Sequence, residues 1–204
     1  VCVLREPRFS SGRSRWFGPD TVAHPVAPGE TRPAFLCLRL MPTPPLSALL
    51  VFAKRPEPGR VKTRLTALLT PEEAADLYAA MLRDALEAYA ARGGAVRLHL
   101  APEADGSPAT LPDGWVPEGV SVHTQRGDGL GQRMLPAFVD GFRAGHERLV
   151  VIGTDHPTLP LAYVEMTFGL LREEPVRGFL GPTHVGGYFL LGQNELFPRL
   201  FEDM

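Results

Sequence analysis

From residue 47 onward, apolar residues fall in short blocks of two alternating kinds. Ser47-Ala48-Leu49-Leu50-Val51-Phe52-Ala53 is a continuous apolar run of strand length, the pattern of a strand buried on both faces. Val96-Arg97-Leu98-His99-Leu100 alternates as a second strand. Val120-Ser121-Val122-His123 reads as a short third, and Leu149-Val150-Val151-Ile152 as a fourth buried one. Gly178-Phe179-Leu180-Gly181 and Tyr188-Phe189-Leu190-Leu191 are the last strand candidates. Between these blocks the spacing turns helical. At Thr70-Pro71-Glu72-Glu73, Thr70 caps, Pro71 suits the first helical position and Glu73 completes a capping box. Ala74, Leu77, Tyr78, Met81, Leu82, Ala85, Leu86 and Tyr89 then recur at helical spacing, and Gly93-Gly94 supplies the stop. Leu130, Met134, Leu135, Phe138 and Phe142 predict a second helix, with Pro136 constraining where it starts. Leu161, Val164, Phe168 and Leu171 mark a third. Strands alternating with helices imply βαβ units, hence an α/β fold with a mostly parallel sheet covered on both faces. Ligands of such folds bind beyond the carboxyl ends of the strands.

Residues 1–46 differ from the rest. They contain eight of the 21 prolines, with six basic residues against three acidic ones, Glu6, Asp20 and Glu30. No helical or strand period runs through them. Stretches such as Phe9-Ser10-Ser11-Gly12-Arg13-Ser14-Arg15 bury too little apolar surface to offset ordering entropy. The expected division is therefore a disordered or upstream extension over 1–46, with Met41 as the natural start, and one folded domain over 47–204. The apolar cluster Ala34-Phe35-Leu36-Cys37-Leu38 is too short for a secretory leader.

Composition narrows the function classes. The chain of 204 residues has a formal net charge of -2, which gives no reason to expect nucleic acid or an acidic membrane as partner. Its apolar runs are too short to span a membrane, and a cytoplasmic location is expected. The two cysteines, Cys2 and Cys37, lie in the extension, so the expected domain holds no thiol nucleophile and no disulfide frame. Zinc-type Cys/His spacing and G-x-S-x-G are both missing.

Three segments carry chemistry. The first is Lys54-Arg55-Pro56-Glu57-Pro58-Gly59-Arg60-Val61-Lys62-Thr63-Arg64, which sets five basic residues against one acid directly after the first strand. Lys gives point charge, Arg grips phosphate oxygens bidentately and Gly59 allows close backbone approach. The cluster therefore suits a polyanion such as a nucleotide diphosphate, or else serves as a solvated loop. It matches neither a Walker loop nor G-x-G-x-x-G. The second is Gly153-Thr154-Asp155-His156-Pro157. A carboxylate at a parallel strand's carboxyl end is placed to hold a divalent metal on phosphates, or to cap the following helix. The third is Thr183-His184-Val185-Gly186-Gly187-Tyr188, whose paired glycines suit close contact with a ligand or a plain hairpin turn. A further polar loop, Gln125-Arg126-Gly127-Asp128-Gly129, precedes the second helix and is expected to reach a base or ribose through Gln125.

Taken in order, these segments resemble a bacterial family of GT-A-type glycosyltransferase-like proteins, often described as radical-SAM/selenodomain-associated transferases. The resemblance rests on Leu50-Val51-Phe52-Ala53-Lys54-x-Pro56-x-Pro58-Gly59-x-Val61-Lys62-Thr63-Arg64-Leu65, on Val151-Ile152-Gly153-Thr154-Asp155-x-Pro157-x-Leu159, and on Leu180-Gly181-Pro182 followed by Gly186-Gly187-Tyr188-Phe189-Leu190-Leu191-Gly192. It implies the three-layer, Rossmann-like nucleotide-diphospho-sugar transferase fold, shared with molybdenum-cofactor and 2-phospholactate guanylyltransferases. It also implies that Lys54, Lys62, Thr63 and Arg64 face nucleotide phosphates and that Asp155 holds Mg²⁺ or Mn²⁺. Gly186 and Gly187 would shape the acceptor side. The expected partners are a nucleotide or nucleotide-sugar and an acceptor the motifs do not identify. Sugar transfer is favoured over nucleotidyl transfer, because the glycine-rich loop of typical nucleotidyltransferases is missing after the first strand. A non-catalytic nucleotide-binding protein is the third possibility, since the family pattern carries Asp where this chain has Val185. Family members also continue with a further helix and strand past the position of Met204, so part of the acceptor side is expected to be absent.

Overall fold

The computed structural model describes residues 2–5, 45–156, 159–173, 175–183, 187–202 and 204. Seven strands form one sheet: β1 (Cys2–Arg5), β2 (Ser47–Ala53), β3 (Ala95–Leu100), β4 (Val120–Thr124), β5 (Arg148–Gly153), β6 (Val176–Pro182) and β7 (Tyr188–Gln193). They lie in the order β1-β6-β7-β5-β2-β3-β4. The block β4-β3-β2-β5 is parallel throughout, with Phe52 paired to both His99 and Gly153. β7 runs antiparallel to β5 and β6, so β6 points the same way as the parallel block. Five of the seven strands thus share one direction, as the alternation of elements predicts.

Three helices cover the sheet. α1 (Pro71–Ala91) and α3 (Leu161–Leu170) close one face, where Leu82, Leu86, Val164 and Phe168 pack on Leu49, Val51, Leu98 and Ile152. α2 (Leu130–Arg143) closes the other through Met134, Ala137 and Phe138 on Ala48, Leu50, Leu149 and Val151. The odd and even positions of β2 thus feed opposite cores, which is why it reads as an unbroken apolar run. The capping box of α1 forms as its sequence predicts: the Glu73 amide donates to Thr70 Oγ1, and the Thr70 amide donates to the Glu73 carboxylate. No helix among the described residues is long and apolar enough to cross a membrane.

Some expectations need correction. Cys2–Arg5 is a strand, antiparallel to β6 at the edge of the sheet, although nothing in the extension predicts an element. An open sheet edge binds through main-chain groups, so the pairing leaves no side-chain period to read. The rest of the extension, 6–44, lies outside the described residues. Pro136 sits inside α2 rather than near its start, and Gly129 is the N-cap. A proline there removes one helical hydrogen bond, which the packing of Met134 and Phe138 outweighs. Leu77 and Leu130 fit the helical period but are exposed at 42% and 53%; the apolar stripe that meets the sheet is narrower than the apolar pattern.

Two packing details give testable consequences. The first turn of α2 lies against the C-terminal 3-10 turn Pro198–Phe201, so closely that a Cβ on Gly131 would stand 2.2 Å from the Phe201 carbonyl oxygen. Backbone cannot give way as a side-chain tip does, so Gly131→Ala is expected to cost about 1–3 kcal/mol; urea unfolding measures it, and an unchanged midpoint contradicts the packing. On the α2 side, the His99 ring is buried and stacks between Phe52 and His123, with centroids 5.4 and 5.0 Å away. Burial, reinforced by His123, Arg97 and Arg126, lowers its pKa from 6.5 to about 3. The unfolded chain therefore binds the extra proton, and this contribution is complete above pH 6.5 and lost as pH falls from 6.5 towards 3. The expected slope is about 1.4 kcal/mol per pH unit for one proton. His99→Phe keeps the stack and should flatten that slope in urea titrations between pH 4 and 7.

Candidate functional site

The chain order β2, β3, β4 runs outward on one side of β2, and β5 then returns to the other side. This reversal leaves a crevice above the carboxyl ends of β2 and β5, where open α/β sheets take their ligands. A cavity of about 1100 Å³ occupies it, lined by Lys54, Lys62, Thr63 and Arg64 from the loop after β2 and by Thr154, Asp155 and His156 from the loop after β5. That volume suits a ligand larger than a simple metabolite.

The two loops are fastened by α1. The Tyr78 hydroxyl accepts from the Lys54 amide at 3.0 Å and shares a hydrogen with Thr154 Oγ1 at 2.8 Å. Tyr78 and Thr154 are both buried. Burial raises the Tyr78 pKa above its ordinary value, so the phenol stays protonated. Val61 is the anchor of the basic loop: it packs on Ala75 and Tyr78 and is itself buried. This holds the neighbouring Lys62 in a left-handed backbone conformation, φ 48° and ψ 35°, which costs a non-glycine residue energy and marks positions the surroundings over-determine. From there Lys62 Nζ lies 5.8 Å from the Tyr78 ring centroid and 2.8 Å from Asp155 Oδ1. The Lys62 side chain is 17% exposed and that of Asp155 78%, so the pair is worth little in water but sets the orientation of both groups.

The five basic residues of the loop are not equivalent. Arg55 and Arg60 are each bridged to Glu57 and Glu103: Arg60 reaches them at 2.6 and 3.1 Å, Arg55 at 3.6 and 3.2 Å. Lys62 holds Asp155. Lys54 and Arg64 line the cavity with no acidic partner among the described residues. Glu103 comes from the loop after β3, and nothing local in the sequence pairs it with Arg55 and Arg60.

Two predicted site residues take other roles. Gly59 does not line the cavity; at φ +75° it makes the turn in which the Arg60 amide bonds the Glu57 carbonyl at 3.1 Å. Gln125 borders the cavity but is buried, and its Nε2 donates to the carbonyls of Ala53 and His99 at 3.2 and 2.8 Å. It ties strand ends together rather than standing free for a ribose. Gly187 lines the cavity at φ +82°, and its carbonyl accepts from the Thr183 amide at 3.1 Å. Gly186 and Val185 lie outside the described residues. Asp155 does not cap α3, whose N-cap is Pro160, which removes the structural alternative for that carboxylate. Sequence reasoning passes over Tyr78, which looks like one more core position of α1, and Arg133, which reaches the cavity from the first turns of α2.

Among the described residues, no three His, Cys, Asp or Glu side chains converge as a metal cage. Asp155 is an accessible carboxylate paired with Lys62, and Asp128, from the loop before α2, is the other carboxylate among the described residues that line the cavity. That donor set fits a Mg²⁺ or Mn²⁺ ion shared with substrate phosphates and waters, the usual manner for Mg²⁺, and does not fit a resident ion held by protein alone.

The chain is similar to known proteins across most of this architecture. The crystal structure of a "putative nucleotide-diphospho-sugar transferase" from Desulfovibrio desulfuricans G20 superimposes with a TM-score of 0.70 at 31% sequence identity, covering 78% of this chain and 69% of that one. This likeness bears out the nucleotide-diphospho-sugar transferase fold. Rv0371c from Mycobacterium tuberculosis H37Rv matches at 15% identity and a TM-score of 0.48, over 78% of this chain and 77% of its own. No curated protein matches. Residues 74–204, from α1 to the C-terminal turn, match the family described as "Uncharacterized protein conserved in bacteria (DUF2064)". With that span and the Desulfovibrio relative together, the chain belongs to this bacterial family.

Proposed function

We propose that the chain is a transferase that holds a nucleotide-diphospho-sugar in the crevice between β2 and β5 and passes the sugar to an acceptor nucleophile. The observation that carries this reading is the meeting of Lys62 with Asp155, and of Lys54 and Arg64 beside them, across one cavity at the switch point. A diphosphate needs such a mixed site: cations for its oxygens, and a carboxylate to share a divalent ion.

In this reading Lys54, Lys62 and Arg64 bind the diphosphate oxygens, with Thr63 presenting its hydroxyl and amide on the same wall. Asp155 holds Mg²⁺ or Mn²⁺, which neutralises charge on the leaving diphosphate when bound. The acceptor forms a bond to the anomeric carbon as the carbon–oxygen bond to the diphosphate breaks, and nucleoside diphosphate leaves. Tyr78 and Thr154 act by position: they keep the two loops at a fixed separation, so the binding groups meet the donor without reorganisation. The Gly187 turn borders the side from which an acceptor approaches.

Release of free nucleoside diphosphate from a panel of nucleotide sugars with Mn²⁺ tests the reaction. Release of pyrophosphate from nucleoside triphosphates indicates nucleotidyl transfer instead, and binding without turnover indicates a non-catalytic protein. Asp155→Ala is expected to abolish the Mn²⁺-dependent part of nucleoside diphosphate binding in calorimetry while leaving the far-ultraviolet dichroism unchanged. Unaltered Mn²⁺ dependence would remove Asp155 from the site. Lys62→Ala should weaken diphosphate binding by about 1–3 kcal/mol, the range for hydrogen bonds to charged groups; an unchanged Kd would leave the basic loop a solvated surface.

A further inference from the structure

A second cavity, of about 260 Å³, opens beside the first and shares Lys54, Arg60, Ala101 and Arg133 with it. Its remaining wall is Arg55, Glu57, Pro102 and Glu103. The charges do not cancel. Glu57 and Glu103 are both engaged with Arg55 and Arg60 in one four-membered network, which leaves Lys54 and Arg133 as a net positive pair with no acidic partner among the described residues.

Arg133 is mounted for this position. Its Nε donates to the Gly127 carbonyl at 2.8 Å, which leaves the two terminal nitrogens of the guanidinium for another acceptor. The carbonyl is itself held in place: Gln132 Oε1 accepts from the amides of Asp128 and Gly129 at 3.0 and 3.4 Å. Gly127 stands at φ +116°, where a Cβ would lie 2.7 Å from Gln132. The turn from Gly127 to Arg133 is thus closed on itself, with the glycine required by both backbone and space. An arginine fixed through Nε, with no acidic partner among the described residues, is a preorganised fork for an oxyanion.

We propose that this second cavity is an anion subsite, with Arg133 as its principal ligand and Lys54 at its boundary with the first, and that it takes a phosphate or carboxylate group carried by the second substrate. Its volume admits one such group and a few attached atoms, so the acceptor is a molecule that carries an acidic group to seat there rather than a neutral glycan. The assignment to the acceptor rests on the donor reading above; the anion subsite itself does not.

The test is calorimetry of the full chain with inorganic phosphate as probe, alone and with saturating GDP or UDP, for the natural sequence, Arg133→Gln and Lys62→Ala. Phosphate is expected to bind the nucleotide-saturated protein, in which the cations of the first cavity are already occupied. There Arg133→Gln should weaken phosphate about tenfold or more while moving the nucleotide Kd by less than about twofold, whereas Lys62→Ala should weaken the nucleotide and leave phosphate binding at saturating nucleotide unchanged. Loss of all phosphate binding at saturating nucleotide overturns the proposal, as does an Arg133→Gln variant that then binds phosphate normally or loses both ligands equally. If neither GDP nor UDP binds, the donor reading fails on its own, and the effect of Arg133→Gln on phosphate still decides the subsite. Given the subsite, small phosphorylated or carboxylated hydroxy compounds should compete with phosphate, whereas a purely nucleotide-derived anion, supplied as the terminal phosphate of GTP or UTP, should not need the subsite; competition by the triphosphate and by no small acid overturns the assignment to the acceptor.

Discussion

The parallel pairing of β2 with β5 is the constraint on which the rest of the structure depends. Both strands are buried on both faces, and their register sets Phe52 opposite Gly153. The residues that follow, Lys54 on one side and Thr154 and Asp155 on the other, must therefore emerge side by side at one edge of the sheet. Hydrophobic burial and strand register, rather than charge interactions between them, decide where these polar groups stand. The main-chain ladder positions the loops, Tyr78 bolts them together, and the Lys62–Asp155 pair spans the geometry so made.

The net charge of -2 is therefore a poor guide to the site. What matters is how cations are divided between partners inside the protein and groups left for a ligand. Arg55 and Arg60 are neutralised by Glu57 and Glu103, and their role is to build a wall. Lys54, Arg64 and Arg133 remain available. The five basic residues against one acid become two arginines engaged with Glu57 and Glu103, one lysine poised on a carboxylate and two cations without an acidic partner among the described residues.

Legibility follows the range of the interactions. The β2 run, the capping box of α1 and the alternation of strands with helices are readable because each depends on neighbouring residues or on a period of two or 3.6. Lys62, Arg64 and Asp155 are readable as residues that reach the crevice because they follow strand ends. What escapes is long-range. Glu103 meets Arg60 across 43 positions and Tyr78 meets Thr154 across 76, and no local pattern announces either pairing. Gln125 looks like a free loop residue because burial of a polar side chain against main-chain carbonyls leaves no sequence signature. β1 is hidden for a related reason: backbone hydrogen bonds to an open edge recruit a strand without requiring any particular side chains.

If the crevice takes the diphosphate proposed above, the left-handed backbone of Lys62 and its contact with Asp155 also bear on how quickly that anion arrives and how long it stays. In the free protein that lysine's field is largely cancelled at a distance by the carboxylate beside it, so diffusional attraction falls to Lys54, Arg64 and Arg133. On that reading Lys62 becomes effective only at close range, when the proposed divalent ion engages Asp155. Steering and retention are thus assigned to different side chains, and ionic strength, which screens the distant field far more than the close contact, should act on the association rate while leaving the residence time to the one lysine whose backbone is held out of its preferred conformation.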